Sequence, residues 1–297
     1  MKNFLTKVFI FTSILLLILL IIEFLLRSTA FGHEYNKLYL DKNANNIEIL
    51  ALGASLTWSG IDPALIEANT FNAANNGQNF YLSQQIIEKY FDDFDSLKYV
   101  ITQFDYDYLT RPPRSHYLYT IYYNFKSDKY TDYLMFANFP LQNSIIRIVD
   151  YYFFNKKFRH GEQQLLGNHL STKIADINEV KKSYKDSQLF RYSNEEQINI
   201  HKNIEIISNI ADKLSEKNIK LILITTPVHP IRRDWTNKEY LSIANKTAEY
   251  LINKHNNIMY FDCFFNYDFD QNDFSDSHHL NQFGAKKLTI YLADKIP

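Results

Sequence analysis

Cysteine, glycine and net charge are all scarce in this chain. The one cysteine, Cys263, excludes an intrachain disulfide framework and any metal site built from several cysteines. It sits in an apolar strand context and reads as inert core. A formal net charge of -1 over 297 residues argues against a general nucleic-acid binder. Glycine occurs only 7 times, beside 22 Tyr and 23 Phe. That is the composition of an aromatic-rich globular protein, not of a disordered one. No internal repeat is visible. The length suits one large α/β domain, or a domain carrying an insertion.

What is present begins with "FLTKVFIFTSILLLILLIIEFLLR", nearly continuous apolar sequence from Val8 to Leu26. A helix needs about 20 such residues to cross a bilayer. Lys2 and Lys7 precede the run and favour a cytoplasmic N-terminus, although Arg27, Lys37 and Lys42 follow it. Glu23, one turn from the outer end, is expected to snorkel into the headgroups. The rival is a cleaved signal peptide, since Ser28 to Ala30 is small-x-small; the length of the run favours an uncleaved anchor. No cysteine lies nearby, which argues against a lipoprotein. Residues 1–27 are therefore assigned as a membrane anchor, 28–45 as a polar linker, and 46–297 as the main domain.

Beyond residue 46 strands alternate with helices. "IEILALG", "TFNAANNGQN", "LKYVITQF", "IKLILITTP" and "NIMYFDCF" read as strands. "IDPALIEAN", "YLSQQIIEKYFDDF", the stretch from Glu195 to Asn218, "KEYLSIANKTAEYLINKH" and "LNQFGAKKLTIYLADKI" read as helices. This alternation predicts a three-layer α/β/α sandwich with a parallel sheet and a crevice at the carboxyl ends of its strands. Residues 106–194, rich in Tyr and Phe, break the pattern and read as a mostly helical insertion. Their tyrosines can pack or stack on sugar rings, and packing is the commoner use.

Three short segments at the strand ends carry residue types suited to chemistry. Ser55 follows the first strand in "GASLTW", on a tight turn that either needs small residues or presents the hydroxyl. In "NAANNGQN", Gly77 lets a backbone N–H approach an oxyanion, although Asn and Gly also form ordinary turns. In "DFSDSHHLNQFG", Asp276 and His279 are three apart at the expected start of the last helix, hence on one face. A carboxylate there can hold one imidazole nitrogen and leave the other to take a proton from a serine. The plainer alternative is that Asp276 or Ser277 caps that helix and both histidines are exposed. The spacing selects His279 over His278, which is assigned to the crevice rim. His229, between Pro227 and Pro230, is either a substrate contact or a satisfied loop histidine. His278, His279 and nearby aspartates lack a recognisable metal-ligand pattern, so neither metal nor cofactor is expected.

The order of these blocks resembles the SGNH (GDSL-like) hydrolase superfamily. More closely, it looks like the membrane-anchored members of envelope-polymer modification, such as the DltD-like proteins and the SGNH-like proteins of exopolysaccharide acetylation. The resemblance covers about residues 46–110 and 195–297 and implies a flavodoxin-like α/β/α fold. It implies Ser55 as nucleophile, His279 as base, Asp276 as its orienting acid, and an oxyanion hole from the N–H groups of Ser55 and Gly77, with Asn76 a further candidate. "TTPVHP", Thr225 to Pro230, looks like the strand-end segment of the anchored relatives. Two departures stand out. Ala54 replaces the aspartate of the serine block, and "ITQFDYDYL" lacks the asparagine of the third block. Asn75, Asn76, Asn79 and Gln103 are the candidates for the missing donor. Loss of one such donor costs about 2.7–4 kcal/mol of transition-state stabilisation. The implied function is an extracytoplasmic, membrane-anchored serine acyltransferase or esterase acting on acyl groups of a cell-envelope or extracellular polysaccharide. Its expected partners are the membrane, a glycan polymer and a membrane-bound acyl-donor protein, with no nucleic acid. The alternative is a non-catalytic, membrane-tethered glycan-binding or assembly protein that keeps the fold.

Overall fold

The computed structural model describes residues 2–29, 32–138, 141–154, 166–187, 193–266 and 268–296. Five strands, β1 (Ile49–Leu52), β2 (Thr70–Asn72), β3 (Tyr99–Gln103), β4 (Lys220–Thr225) and β5 (Ile258–Asp262), form one sheet in the order β2-β1-β3-β4-β5. Every pairing is parallel, with Ile49 level with Thr70 on one side and Tyr99 on the other. Burial explains the strand sequences. Side chains alternate between faces. Ile49, Ala51, Ile101, Ile222 and Ile224 join one core cluster, together with Phe274, Leu288 and Leu292. Their strand neighbours Leu50, Leu52, Val100, Leu221 and Leu223 are buried as well. Both faces are therefore covered, which is why these strands read as continuous apolar runs.

Two helical layers supply the cover. Phe80–Tyr90, Asn194–Ser215 and Lys238–Lys254 contact one another in turn, while Gln282–Ala293 packs with Ser55–Gly60. The fold is thus the expected three-layer parallel α/β/α sandwich. The chain leaves β1 for β2 on one side and returns to β3 on the other. The ends of β1 and β3 therefore flank the point where strand order reverses, the usual place for a crevice in such sheets.

Local differences from the sequence reading have identifiable causes. "IDPALIEAN" forms only a 3-10 turn at Pro63–Leu65, capped by the Asp62 side chain; the helix after β1 is instead Ser55–Gly60. Asp276 and His279 precede the last helix rather than lie on it. Asn281 caps that helix by accepting from the N–H groups of Phe283 and Gly284. Residues 32–43, expected as linker, are helical.

The chain divides into two compact units, Met1–Lys37 with Ser115–His160, and Leu38–Arg114 with Gly161–Pro297. The stretch 106–194 contributes no strand to the sheet among its described residues, and its flanks belong to the sheet-bearing unit. Asn203 ties down the first flank by donating to the carbonyls of Leu109 and Arg111. Gly167 ties down the second. At φ +91° it lies so close to the Asn72 carbonyl that a Cβ would sit 2.0 Å from that oxygen. The expected insertion residues 155–165 lie outside the described residues.

In the other unit the apolar helix Lys2–Arg27 is exposed along most of its length but enters a small core at its end, where Leu26 meets Leu118 and Met135. Glu23 does not snorkel. It is buried, its carboxylate accepts from the N–H groups of Met135 and Phe136 at 3.0 Å each, and it pairs with Arg27 at 2.6 Å. A carboxylate on two free N–H groups at a helix start needs no water.

Candidate active site

Ser55 is the first residue of the short helix that follows β1. Gly53 makes this turn possible. Its φ of +125° suits glycine, and a Cβ there would lie 2.8 Å from Thr57 Oγ1. Ala54 is fully buried and its N–H donates to Gln103 Oε1 at 3.0 Å, so the turn is fixed from the end of β3.

On the opposite side, the chain between Phe274 and Leu280 closes a small bridge and turns tightly. Asp276 Oδ1 accepts from the N–H groups of His278 and His279, each at 2.8 Å. Its Oδ2 is 2.7 Å from His279 Nδ1, and His279 Nε2 is 2.8 Å from Ser55 Oγ. Ser55, His279 and Asp276 therefore form one hydrogen-bonded line, built by the turn and not by a helix face. Burial opposes ionisation of Asp276, but the hydrogen bond from His279 and the electrostatic influence of the two neighbouring imidazoles hold it below the usual carboxylate range. A neutral imidazole protonated on Nδ1 leaves Nε2 to accept the Ser55 proton, the arrangement needed to activate a serine.

His278 takes a different place. Its Nδ1 lies 2.9 Å from Ser277 Oγ, and burial, followed by the charge of His279, pushes it down to about 3, so it remains neutral. His229 is buried and holds the loops together. Its backbone N–H donates to the Ser277 carbonyl, and its Nδ1 accepts from Ile231 N–H. Asp276, His278 and His279 bring three ligand-type atoms within 4.8 Å of one another, but Asp276 and His279 are engaged along the line to Ser55 and His278 with Ser277. Cys263 is buried, and burial pushes its thiol up to about 12.

Gly77 has φ +79°, and a Cβ placed on it would meet no atom within 4 Å, so its backbone is open to approach. Among the candidates for a further donor, Gln103 is held in place, since Oε1 accepts from Ala54 and Nε2 donates to Asp105. Asn79 caps Phe80–Tyr90 and donates to the carbonyls of Pro112 and Arg114. Asn76 is exposed. Asn75 is anchored beside Ser55 by its N–H to the Gly53 carbonyl, and its side-chain amide nitrogen is buried without a partner.

Of the walls of the crevice, sequence reasoning reached the strand end at Gln103 but missed Arg111, Arg232 and Tyr240. A cavity of about 130 Å³ opens beside Ser55, with Gln103, Asp105, Arg111, Arg232 and Tyr240 in its lining. Asp105 is pushed up to about 6, by burial first and then by the charge of Asp107. Arg232 pairs with Asp107 at 3.0 Å. Elsewhere, His169 stacks on Trp58 with centroids 4.7 Å apart, and its pKa is lowered by burial and by the charge of His279. None of these residues forms a motif. Arg232 lies on the short helix Pro230–Trp235, Arg111 follows the helical turn Tyr106–Leu109, and both Arg111 and His169 lie in the stretch expected as insertion.

One protein-family model matches residues 173–297, the part that carries β4, β5 and the Asp276–His279 turn. No curated protein matches the chain. Solved structures that match include one provisionally assigned as a platelet activating factor from Streptococcus pneumonia, at 9% identity over 96% of this chain and 98% of that chain, with a TM-score of 0.43. A provisionally assigned acylhydrolase from Bacteroides fragilis matches at 12% identity over 86% and 94%, with a TM-score of 0.41. A GDSL-like lipase from Bacteroides thetaiotaomicron matches at 12% identity over 89% and 98%, also with a TM-score of 0.41. Each of these is a protein the chain is similar to, while the line from Ser55 through His279 to Asp276 is read from its own residues.

Proposed function

We propose that this protein is a membrane-anchored serine acyltransferase or esterase that acts on acyl groups of a cell-envelope or extracellular polysaccharide. The observation that carries the catalytic part is the 2.8 Å contact between Ser55 Oγ and His279 Nε2, backed by Asp276 on the other ring nitrogen. His279 takes the Ser55 proton as Oγ adds to the acyl carbonyl. The oxyanion is held by the N–H groups of Ser55 and Gly77. The intermediate collapses by returning the His279 proton to the leaving oxygen, which departs and leaves an ester on Ser55. A water or sugar hydroxyl then gives its proton to His279 and attacks that ester, and Ser55 is restored.

The membrane part is supported by the helix Asn3–Arg27, with mean hydropathy 2.9 and only 6% of its most apolar window buried. Its packing supports an anchor over a cleaved signal. Cleavage after Ala30 would remove Leu26 and Glu23, which complete the core and cap Met135–Asn138. The leading lysines support an extracytoplasmic main domain.

The test compares acyl content of the surface polymer in cells carrying the native chain or Ser55→Ala, with equal amounts of folded protein in the membrane fraction. Lower acyl content in the native strain than in Ser55→Ala identifies an esterase, and higher content a transferase. Equal content defeats the catalytic proposal and favours the non-catalytic glycan-binding alternative.

A further inference from the structure

Among the described residues, one side of the helix Leu141–Phe153 packs on protein and an apolar side is exposed. Inward, Ile148 packs against the cluster formed by Leu26, Leu118 and Met135, and Ser144 is buried. Outward, Leu141, Ile145, Val149 and Tyr152 fall at i, i+4, i+8 and i+11, a single stripe at helical spacing. Ile146 and Phe153 widen that stripe, and exposure reaches 63% at Leu141 and 79% at Phe153. A water-soluble surface seldom leaves so many large apolar side chains contiguous and bare.

The position of this stripe limits what covers it. The helix belongs to the same compact unit as the apolar helix Lys2–Arg27 and packs against its end, so its bare face adjoins an apolar surface that is itself uncovered. Arg27 marks the end of that surface and donates to the Tyr133 carbonyl, beside exposed Tyr133 and Leu134. Arginine and tyrosine next to the end of an apolar span are the residue types that settle at headgroup level. A helix with an apolar stripe at that level fits the boundary between headgroups and acyl chains.

We infer that Leu141–Phe153 is an interfacial helix whose outer stripe inserts into the lipid surface beside the anchor. The partner is the bilayer itself, through acyl chains and the headgroup boundary. The inference rests on the anchor assigned above, so its test separates the two. The full-length chain is reconstituted into phosphatidylethanolamine–phosphatidylglycerol vesicles with an environment-sensitive fluorophore on one introduced cysteine. The positions are Leu16→Cys in the apolar helix, Ile145→Cys or Val149→Cys on the stripe, and Lys246→Cys on the sheet-bearing unit. Native Cys263 is buried and stays unlabelled. Spin-labelled acyl chains are then added as quencher. Loss of fluorescence at Leu16, Ile145 and Val149, with none at Lys246, is expected. Loss at Leu16 alone overturns the interfacial helix and leaves the anchor standing. No loss at Leu16 removes the anchor and the inference with it. Disulfide cross-linking between two copies through Ile145→Cys, without lipid quenching, assigns the stripe to a second copy and overturns the inference.

Discussion

Asp276→Asn probes the proposed chemistry without disturbing the turn that builds it. Asp276 Oδ1 already accepts two backbone N–H groups, from His278 and His279. An asparagine keeps both bonds if its oxygen stays there. Turning the amide over would set its NH₂ against two N–H donors, so the orientation is fixed by the backbone. The new NH₂ must then face His279 Nδ1, where Oδ2 now lies at 2.7 Å. Two donors cannot share that contact. The imidazole therefore moves its proton to Nε2 and donates to Ser55 Oγ, and a ring nitrogen that carries a proton cannot remove another. In a serine–histidine–aspartate arrangement this tautomer error costs about 10⁴-fold in kcat, or about 5 kcal/mol of barrier.

The assay is hydrolysis of an aryl acetate by the detergent-solubilised chain, with the histidine tautomer read from ¹⁵N chemical shifts. The fold should survive, because the turn keeps its bonds. A rate within tenfold of the native enzyme, or an unchanged tautomer, would refute the reasoning and leave Asp276 as a turn former.

Ser55→Ala and His279→Ala should each cost more than Asp276→Asn, about 10⁶-fold in kcat, because the nucleophile and its base act as one unit; comparable rates for all three would speak against a covalent intermediate. His278→Ala should leave the rate within a few-fold of native, since His278 is neutral and bonded to Ser277, and the same aryl acetate assay separates the adjacent histidines. Gln103→Leu should lower stability by about 1–3 kcal/mol, because it strands the buried Ala54 N–H; an unchanged denaturation midpoint would show the turn to be independent of β3. His33 is buried and pushed down to about 3, by burial first and then by His116, whereas an unfolded histidine titrates near 6.5. Here the unfolded chain binds the extra proton, so stability falls as pH drops below about 6.5, by about 2 kcal/mol at pH 5. His33→Phe should flatten that slope, as read by denaturation at pH 5 and pH 7.

The sheet was legible in the sequence because both of its faces are buried. Strands such as "ILAL" and "LILI" then carry apolar residues at every position, and the helices between them keep a 3.6-residue period. What remained hidden depends on contacts distant in sequence. Nothing local to "GHEYNKLYLDKN" marks a helix, since its residues are mixed and polar. Glu23 looked like a charge in need of water because its partners, the Met135 and Phe136 N–H groups, lie more than a hundred residues away. The helix expected at Ile61 stopped after one turn because Asp62 caps only the local Pro63–Leu65 turn.

The candidate site shows the same division between local and distant information. Asp276 and His279 were found by a spacing argument that supposed a helix, yet their contact arises from a turn. A carboxylate that accepts the N–H groups two and three residues ahead brings its second oxygen level with the following imidazole, so turn and helix select the same pair. Sequence alone could not divide labour among Asn75, Asn76, Asn79 and Gln103, because each can donate and only their neighbours decide. Gln103 is committed to holding Ala54, and Asn79 to capping a helix and closing the loop at Pro112. The Gly77 segment, anchored through Asn75 to Gly53, is the side proposed to meet an oxyanion. Ala54 is buried, and Gln103, placed one strand away, accepts its N–H while leaving Ser55 Oγ to His279.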